Sequence, residues 1–151
     1  PSIFSGYLGD APAPFVEFEG HTWYRTGDLV SMDQGGRLTF QGRLKRFVKV
    51  GGEMISLPQI ENALLETFGS RADAPQEGPA LAVEAMPEEC GSAIVLFTPL
   101  ALALPEVNAA LRAAGLSSLY AVRRIVRVDA IPLLGSGKTD YRALKDSLAR
   151  A

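Results

Sequence analysis

The chain has 151 residues, of which 47% are hydrophobic and 21% charged, and carries a formal net charge of −2. That is enough to bury the core of one domain with a short appendage, and it excludes a disordered polyelectrolyte. It also excludes a global field that would attract nucleic acid, so any anion binding must come from local clusters.

A single cysteine, Cys90, rules out an intrachain disulfide and fits a reducing, cytoplasmic setting. It has no second Cys and no neighbouring His in sequence, so it is not expected to act as a nucleophile. No run approaches the roughly 18 apolar residues of a membrane helix, and Pro1-Ser2-Ile3-Phe4 lacks the basic end and long apolar centre of a signal peptide. The sequence also lacks an initiating Met and is expected to be a piece of a longer chain.

Residues 1–22 mix Gly, Pro and aromatics without sustained periodicity, and Ala11-Pro12-Ala13-Pro14 is expected as a loop. Trp23 to Val30 reads as a strand. Asp33-Gln34-Gly35-Gly36 is a turn signal before Arg37-Leu38-Thr39-Phe40-Gln41, so a β-hairpin ending at Gly42 is predicted. Phe47–Val50 and Met54–Ile55 flank Gly51-Gly52, which suits a two-residue hairpin turn. Ser56 should cap a helix, with Pro58 in its first turn and Gln59 completing a capping box. Leu57, Ile60, Leu64 and Phe68 recur at helical spacing and should face the core.

Residues 69–79 read as a loop. Ala80–Ala85 and Ala93–Thr98 are apolar strand candidates joined through Met86-Pro87-Glu88-Glu89-Cys90-Gly91. Pro105 can open a helix running to Ala114 with Gly115 as its stop. Arg124–Val128 alternates as a last strand, and after Gly135-Ser136-Gly137 the carboxylate of Asp140 can cap a terminal helix containing Leu144 and Leu148. The predicted class is α+β: a small mixed β-sheet flanked by about three helices and preceded by a β-hairpin.

Two basic clusters stand out: Arg43, Lys45, Arg46 and Lys49, and Arg123, Arg124 and Arg127. Either can be a solvated face or a protected strand edge. Gly137-Lys138-Thr139 invites a phosphate-loop reading, but that pattern requires Gly at position 132, where Pro stands. His21 has no companions at metal-ligand spacing.

Three stretches in order are specific: Tyr24-Arg25-Thr26-Gly27-Asp28-Leu29, then Gly42-Arg43 through Gly51-Gly52-Glu53-Met54-Ile55-Ser56 to Glu61, then Pro132-Leu133-Leu134-Gly135-Ser136-Gly137-Lys138-Thr139-Asp140-Tyr141-Arg142. Together, over residues 20 to 145, they resemble the end of an adenylate-forming enzyme of the acyl-CoA synthetase superfamily. The Gly-Glu-Met-Ile-Ser variant looks closest to the branch making acyl-[acyl-carrier-protein], often fused to a lysophospholipid acyltransferase (2-acylglycerophosphoethanolamine acyltransferase). Many relatives carry an aromatic and a basic residue where this chain has Glu53 and Met54.

The resemblance implies an ATP-dependent fatty-acid ligase that forms acyl-AMP and passes the acyl group to the pantetheine thiol of acyl carrier protein. An acyl-CoA synthetase of the same superfamily, or a non-catalytic carrier-docking module, is the alternative. By the same resemblance, residues 1–42 are the tail of the large N-terminal adenylation domain and 43–151 the mobile C-terminal domain. Asp28 and Arg43 would bind the nucleotide, Lys45 would be the hinge, and Lys138 would be catalytic in adenylation. Gly51 and Gly52 would flank the thiol arm, with Arg46 and Lys49 docking the carrier. ATP and Mg²⁺ would be held mainly by the N-terminal domain, without which activity is not expected; phosphopantetheine belongs to the acceptor. Nucleic acid is not expected as a partner, and membrane association is expected only through a fused acyltransferase.

Overall fold

A computed structural model of the protein describes residues 13–88 and 91–148; Cys90 and the start of the chain, including Ala11 and Pro12, lie outside them. The chain divides into two compact units, Pro1–Lys45 and Arg46–Ala151.

The first unit contains two antiparallel hairpins. Strand β1 (Phe15–Phe18) pairs with β2 (His21–Tyr24), and β3 (Asp28–Met32) with β4 (Leu38–Arg43). The first hairpin differs from the sequence reading, which had no regular structure before Trp23. Its turn is Glu19-Gly20 with φ of 50° and 73°. Glu is a poor substitute for the Asn or Asp that announces such a turn, so the usual signal is missing.

The strand expected over Trp23–Val30 is broken in two. Arg25 N–H donates to the Pro14 carbonyl at 2.7 Å, and Asp28 N–H turns onto the Thr26 hydroxyl at 3.1 Å. A local side-chain bond of this kind competes with the ladder and ends β2. The second turn forms as expected: Asp33 Oδ1 accepts from the N–H groups of Gly35 and Arg37, each at 2.9 Å, an Asx-type turn. A bulge between Leu29 and Val30 sets Asp28 opposite Arg43.

The second unit is the α+β domain. Strands β5 (Phe47–Val50) and β6 (Glu53–Ser56) form a hairpin that feeds α1 (Leu57–Phe68). A three-stranded mixed sheet follows, in the order β7 (Ala82–Glu88), β8 (Gly91–Thr98), β9 (Val122–Arg127). β7 and β8 run antiparallel, β8 and β9 parallel. The parallel pair requires a crossover, which α2 (Leu104–Ala113) supplies. Helix α3 (Tyr141–Leu148) closes the domain.

Helices cover both faces of this sheet. Leu57, Ile60 and Leu64 of α1 and Val107 and Leu111 of α2 pack with Val83, Ile94 and Leu96 on one face. Leu144 of α3 and Ile131 pack with Ala82, Val95 and Phe97 on the other. The predicted apolar stripe of α1 is buried throughout, with Leu57, Ile60 and Leu64 fully enclosed; burial of such a side chain is worth about 1.5–3 kcal/mol. Ser56 caps α1 by accepting from Gln59 N–H at 3.4 Å. The other half of the predicted capping box is replaced, because Gln59 Oε1 accepts from the Tyr120 hydroxyl at 3.1 Å.

Candidate functional site

Asp28 and Arg43, singled out in the sequence, face each other across β3 and β4. Arg43 Nε lies 2.9 Å from Asp28 Oδ1, and Arg43 Nη1 donates to the Thr26 carbonyl at 2.9 Å. The Thr-Gly segment between the hairpins therefore serves both residues: its hydroxyl holds the backbone of Asp28 and its carbonyl orients the guanidinium. The pair is open to solvent, with the Arg43 side chain 63% exposed and that of Asp28 29%. Lys45 lies in a single 3₁₀ turn, Leu44–Arg46, and is exposed.

Gly51 and Gly52 form the β5–β6 turn with φ of 57° and 91°, the double positive φ that a tight I′-type hairpin requires. They are not equivalent. A Cβ on Gly51 would meet Leu119 Cδ2 at 2.9 Å, whereas a Cβ on Gly52 would meet nothing within 4 Å. Gly51 is filled by its own domain, and Gly52 presents the open side of the turn. Lys49, next to this turn, is exposed.

Lys138 stands in a glycine hairpin. Leu134 N–H donates to the Lys138 carbonyl and Gly137 N–H to the Leu134 carbonyl, each at 2.8 Å. Gly137 has φ of 79°, so this is a three-residue loop closed by a left-handed residue. Below it, Leu133 and Thr139 form a bridge and Asp140 N–H donates to the Pro132 carbonyl at 2.8 Å. Lys138 itself is exposed. The root of the hairpin runs directly into α3, where Asp140 Oδ1 caps the N–H groups of Arg142 and Ala143 at 3.1 and 3.0 Å, as its sequence position predicts.

Arg46 is placed very differently from Lys49. Its side chain is only 13% exposed, with Nη2 2.7 Å from Glu61 Oε1 and Nη1 3.2 Å from Glu84 Oε2. Nη2 also donates to the Val83 carbonyl at 2.9 Å, and the guanidinium carbon lies 3.7 Å from the centre of the Tyr141 ring. Where the sequence leads one to expect Arg46 free to dock a carrier, its guanidinium is instead committed within its own domain, whereas Lys49 is exposed. Glu61 further accepts from Val83 N–H at 2.8 Å, and both its oxygens accept from the Tyr141 hydroxyl at 3.1 Å. Arg46 and Glu61 thereby satisfy the backbone of edge strand β7 with side chains. Glu84, 3% exposed, completes the cluster with Lys145 Nζ at 3.4 Å and Ala85 N–H at 3.0 Å. Burial and the Glu61 charge push the Tyr141 hydroxyl above its ordinary pKa, partly offset by Arg46 and Thr139, so it remains a donor to Glu61.

The sequence assigned no role to Glu61, Glu84 or Tyr141, although two signals were present. Glu61 lies four residues after Leu57 and three before Leu64, on the edge of the buried helical stripe. Glu84 interrupts an apolar strand whose two faces are both covered. A carboxylate at either place needs a partner.

The arginines of β9 occupy an edge strand and are exposed, the placement expected of edge protection. Among the described residues no group of three or more His, Cys, Asp or Glu side chains could hold a metal ion, and no helix is long and apolar enough to cross a membrane.

No family profile matches the chain. Individual proteins do. The chain is 36% identical over 153 residues to an anguibactin system regulator of Vibrio anguillarum, covering 94% of this chain and 14% of that protein. It is 32% identical over 151 residues to enterobactin synthase component E of Escherichia coli, covering 99% and 27%. It is 32% identical to a Streptomyces salicylyl-CoA synthase/salicylate adenylyltransferase, covering 93% and 25%. Adenylate-forming enzymes are thus among its relatives, and the chain spans about a quarter or less of their length. In structure it is similar to the amide bond synthetase McbA of Marinactinospora thermotolerans, with a TM-score of 0.64, 24% identity, and coverage of 83% of this chain and 25% of that one.

Proposed function

We propose that this chain is the C-terminal part of an adenylate-forming acid–thiol ligase. In the first half-reaction a carboxylic acid and ATP give acyl-AMP and pyrophosphate. In the second, the thiol of a phosphopantetheine arm attacks the acyl carbon and AMP leaves. In this reading residues 1–42 end the large domain, 43–151 are its mobile partner, and Lys45 is the pivot.

The observation that carries the reading is Lys138, an exposed cation on a glycine hairpin whose root is tied into the domain. An exposed point charge on a fixed base suits stabilisation of the charge that builds between the carboxylate and the α-phosphate. The open Asp28–Arg43 pair supports a nucleotide role. A carboxylate has about four lone-pair sites, and Arg43 Nε engages Asp28 at one oxygen, which leaves acceptor capacity for ribose hydroxyls. In this reading the metal and the triphosphate are held mainly by the large N-terminal domain. Gly52 fits the approach of a thin pantetheine arm, because nothing stands within 4 Å of its missing Cβ.

The acid we assign is a fatty acid and the acceptor an acyl carrier protein, on the strength of the Gly52-Glu53-Met54-Ile55-Ser56 variant. A second reading, an aromatic acid, is favoured by the likeness to a salicylate adenylyltransferase. Acid-dependent exchange of pyrophosphate into ATP by the full protein separates them: exchange with a long-chain fatty acid and not with salicylate is expected. Lys138→Ala should lower that exchange by at least ~10²-fold, the scale for one preorganised charge-stabilising group. Thioester formation from presynthesised acyl-adenylate should survive. Equal loss in both steps overturns the role of Lys138.

A further inference from the structure

The buried cluster of Arg46, Glu61, Glu84 and Tyr141 is not used by the proposed reaction, yet it lies at the root of the element that carries Lys138. Resting on the function proposed above, we propose that Tyr141 is a positioning residue for Lys138, and that its hydroxyl, held by Glu61, immobilises the base of the Lys138 hairpin. Tyr141 follows Asp140, which closes the hairpin onto Pro132 at 2.8 Å and caps α3. The hydroxyl meets both oxygens of Glu61 at 3.1 Å, a tie spanning 80 residues of sequence.

Glu61 is in turn fixed by Arg46 Nη2 at 2.7 Å and by Val83 N–H at 2.8 Å, so the anchor is the edge of the sheet itself. One turn further along the same face of α3, Leu144 is buried against Val95 and Phe97. The Lys138 side chain is exposed, while the backbone three residues after it is held by the Tyr141 hydroxyl and by the burial of Leu144. A hydroxyl in this cluster is not needed to fill space, because Arg46 already stacks on the Tyr141 ring. Its contribution is direction, and an error of about 1 Å in placing a catalytic group can cost ~10²-fold in rate.

Tyr141→Phe in the full protein removes the hydroxyl and keeps the ring. The first half-reaction should slow by about tenfold in kcat, with the KM for ATP changed less than about twofold, a loss short of full misplacement. Transfer from presynthesised acyl-adenylate should be unchanged. In a Lys138→Ala background the same substitution should add no further loss, because a residue acting through Lys138 has nothing left to position. Glu61→Gln, which retains an acceptor, should lose less than Glu61→Ala. Independently of activity, the Leu134 and Gly137 amides, which donate to the Lys138 and Leu134 carbonyls, should exchange with solvent faster in Tyr141→Phe than in wild type, since they report opening of the hairpin.

Unchanged amide exchange would overturn the proposal whatever the reaction is. So would a Tyr141→Phe loss that persists in full beside Lys138→Ala, or a parallel fall in both half-reactions. If Tyr141→Phe fails to fold, Glu61→Gln is read by the same exchange measurement. Wild-type exchange of ATP with pyrophosphate that ignores Lys138→Ala would instead sink the functional reading, and leave amide exchange to decide the role of Tyr141.

Discussion

Arg46 and Glu61 meet at 2.7 Å, with side chains only 13% and 12% exposed, so an ion pair that looks like part of a basic surface cluster in sequence is a piece of the interior. Removing one partner of a buried pair leaves the other charge without compensation, at a cost of about 3–5 kcal/mol. Here Arg46→Ala strips both Glu61 and Glu84 of their guanidinium. Urea unfolding should show a loss of that size, whereas Lys49→Ala, exposed on the adjoining strand β5, should stay within about 0.5 kcal/mol. Equal effects of the two would mean that the cluster does not hold the domain together.

Tyr141 gives this domain an alkaline limit. Its folded pKa is raised above the unfolded value of about 10, so the native state holds the proton more tightly. The stability this contributes is complete below pH of about 10 and is lost as pH rises through the folded value. Unfolding midpoints measured from pH 8 to 11 should fall more steeply above pH 10 in wild type than in Tyr141→Phe. Parallel curves would contradict the assignment.

Lys45→Pro tests the pivot. Proline fixes φ near −65° and disfavours helical backbone at the preceding residue, which here is Leu44 within the 3₁₀ turn. Multiple turnover should slow more than either half-reaction measured alone, while the unfolding midpoint of the second unit stays near wild type. Normal multiple turnover would remove Lys45 from the mechanism.

Lys49→Glu tests carrier docking. The chain as a whole carries −2 and cannot steer an acidic carrier by net charge, so a local cation beside the Gly51-Gly52 turn should matter and should be screened by salt. The apparent KM for acyl carrier protein should rise several-fold, that for free CoA should not, and the difference should shrink from 0.1 to 1 M salt. If both acceptors suffer equally, or CoA is preferred in wild type, the acceptor is not a carrier protein.

Local rules were enough to locate much of this molecule in its sequence. The periodicity of Leu57, Ile60, Leu64 and Phe68, the Ser56 and Asp140 caps, and the glycine turns at 51–52 and 135–137 depend on neighbours a few residues away, and a linear pattern carries that information. The same is true of the order of motifs around Asp28, Arg43 and Lys138. The β1–β2 hairpin escaped because Glu19 adopts positive φ without the residue type that advertises it. Above all, the fate of a charge was not local. Arg46 and Lys49 are three residues apart and chemically alike, but Arg46 meets Glu61, Glu84 and Tyr141, which lie 15, 38 and 95 residues further along the chain. Desolvation is decided by what packs around a group, and only the tertiary structure brings those partners together.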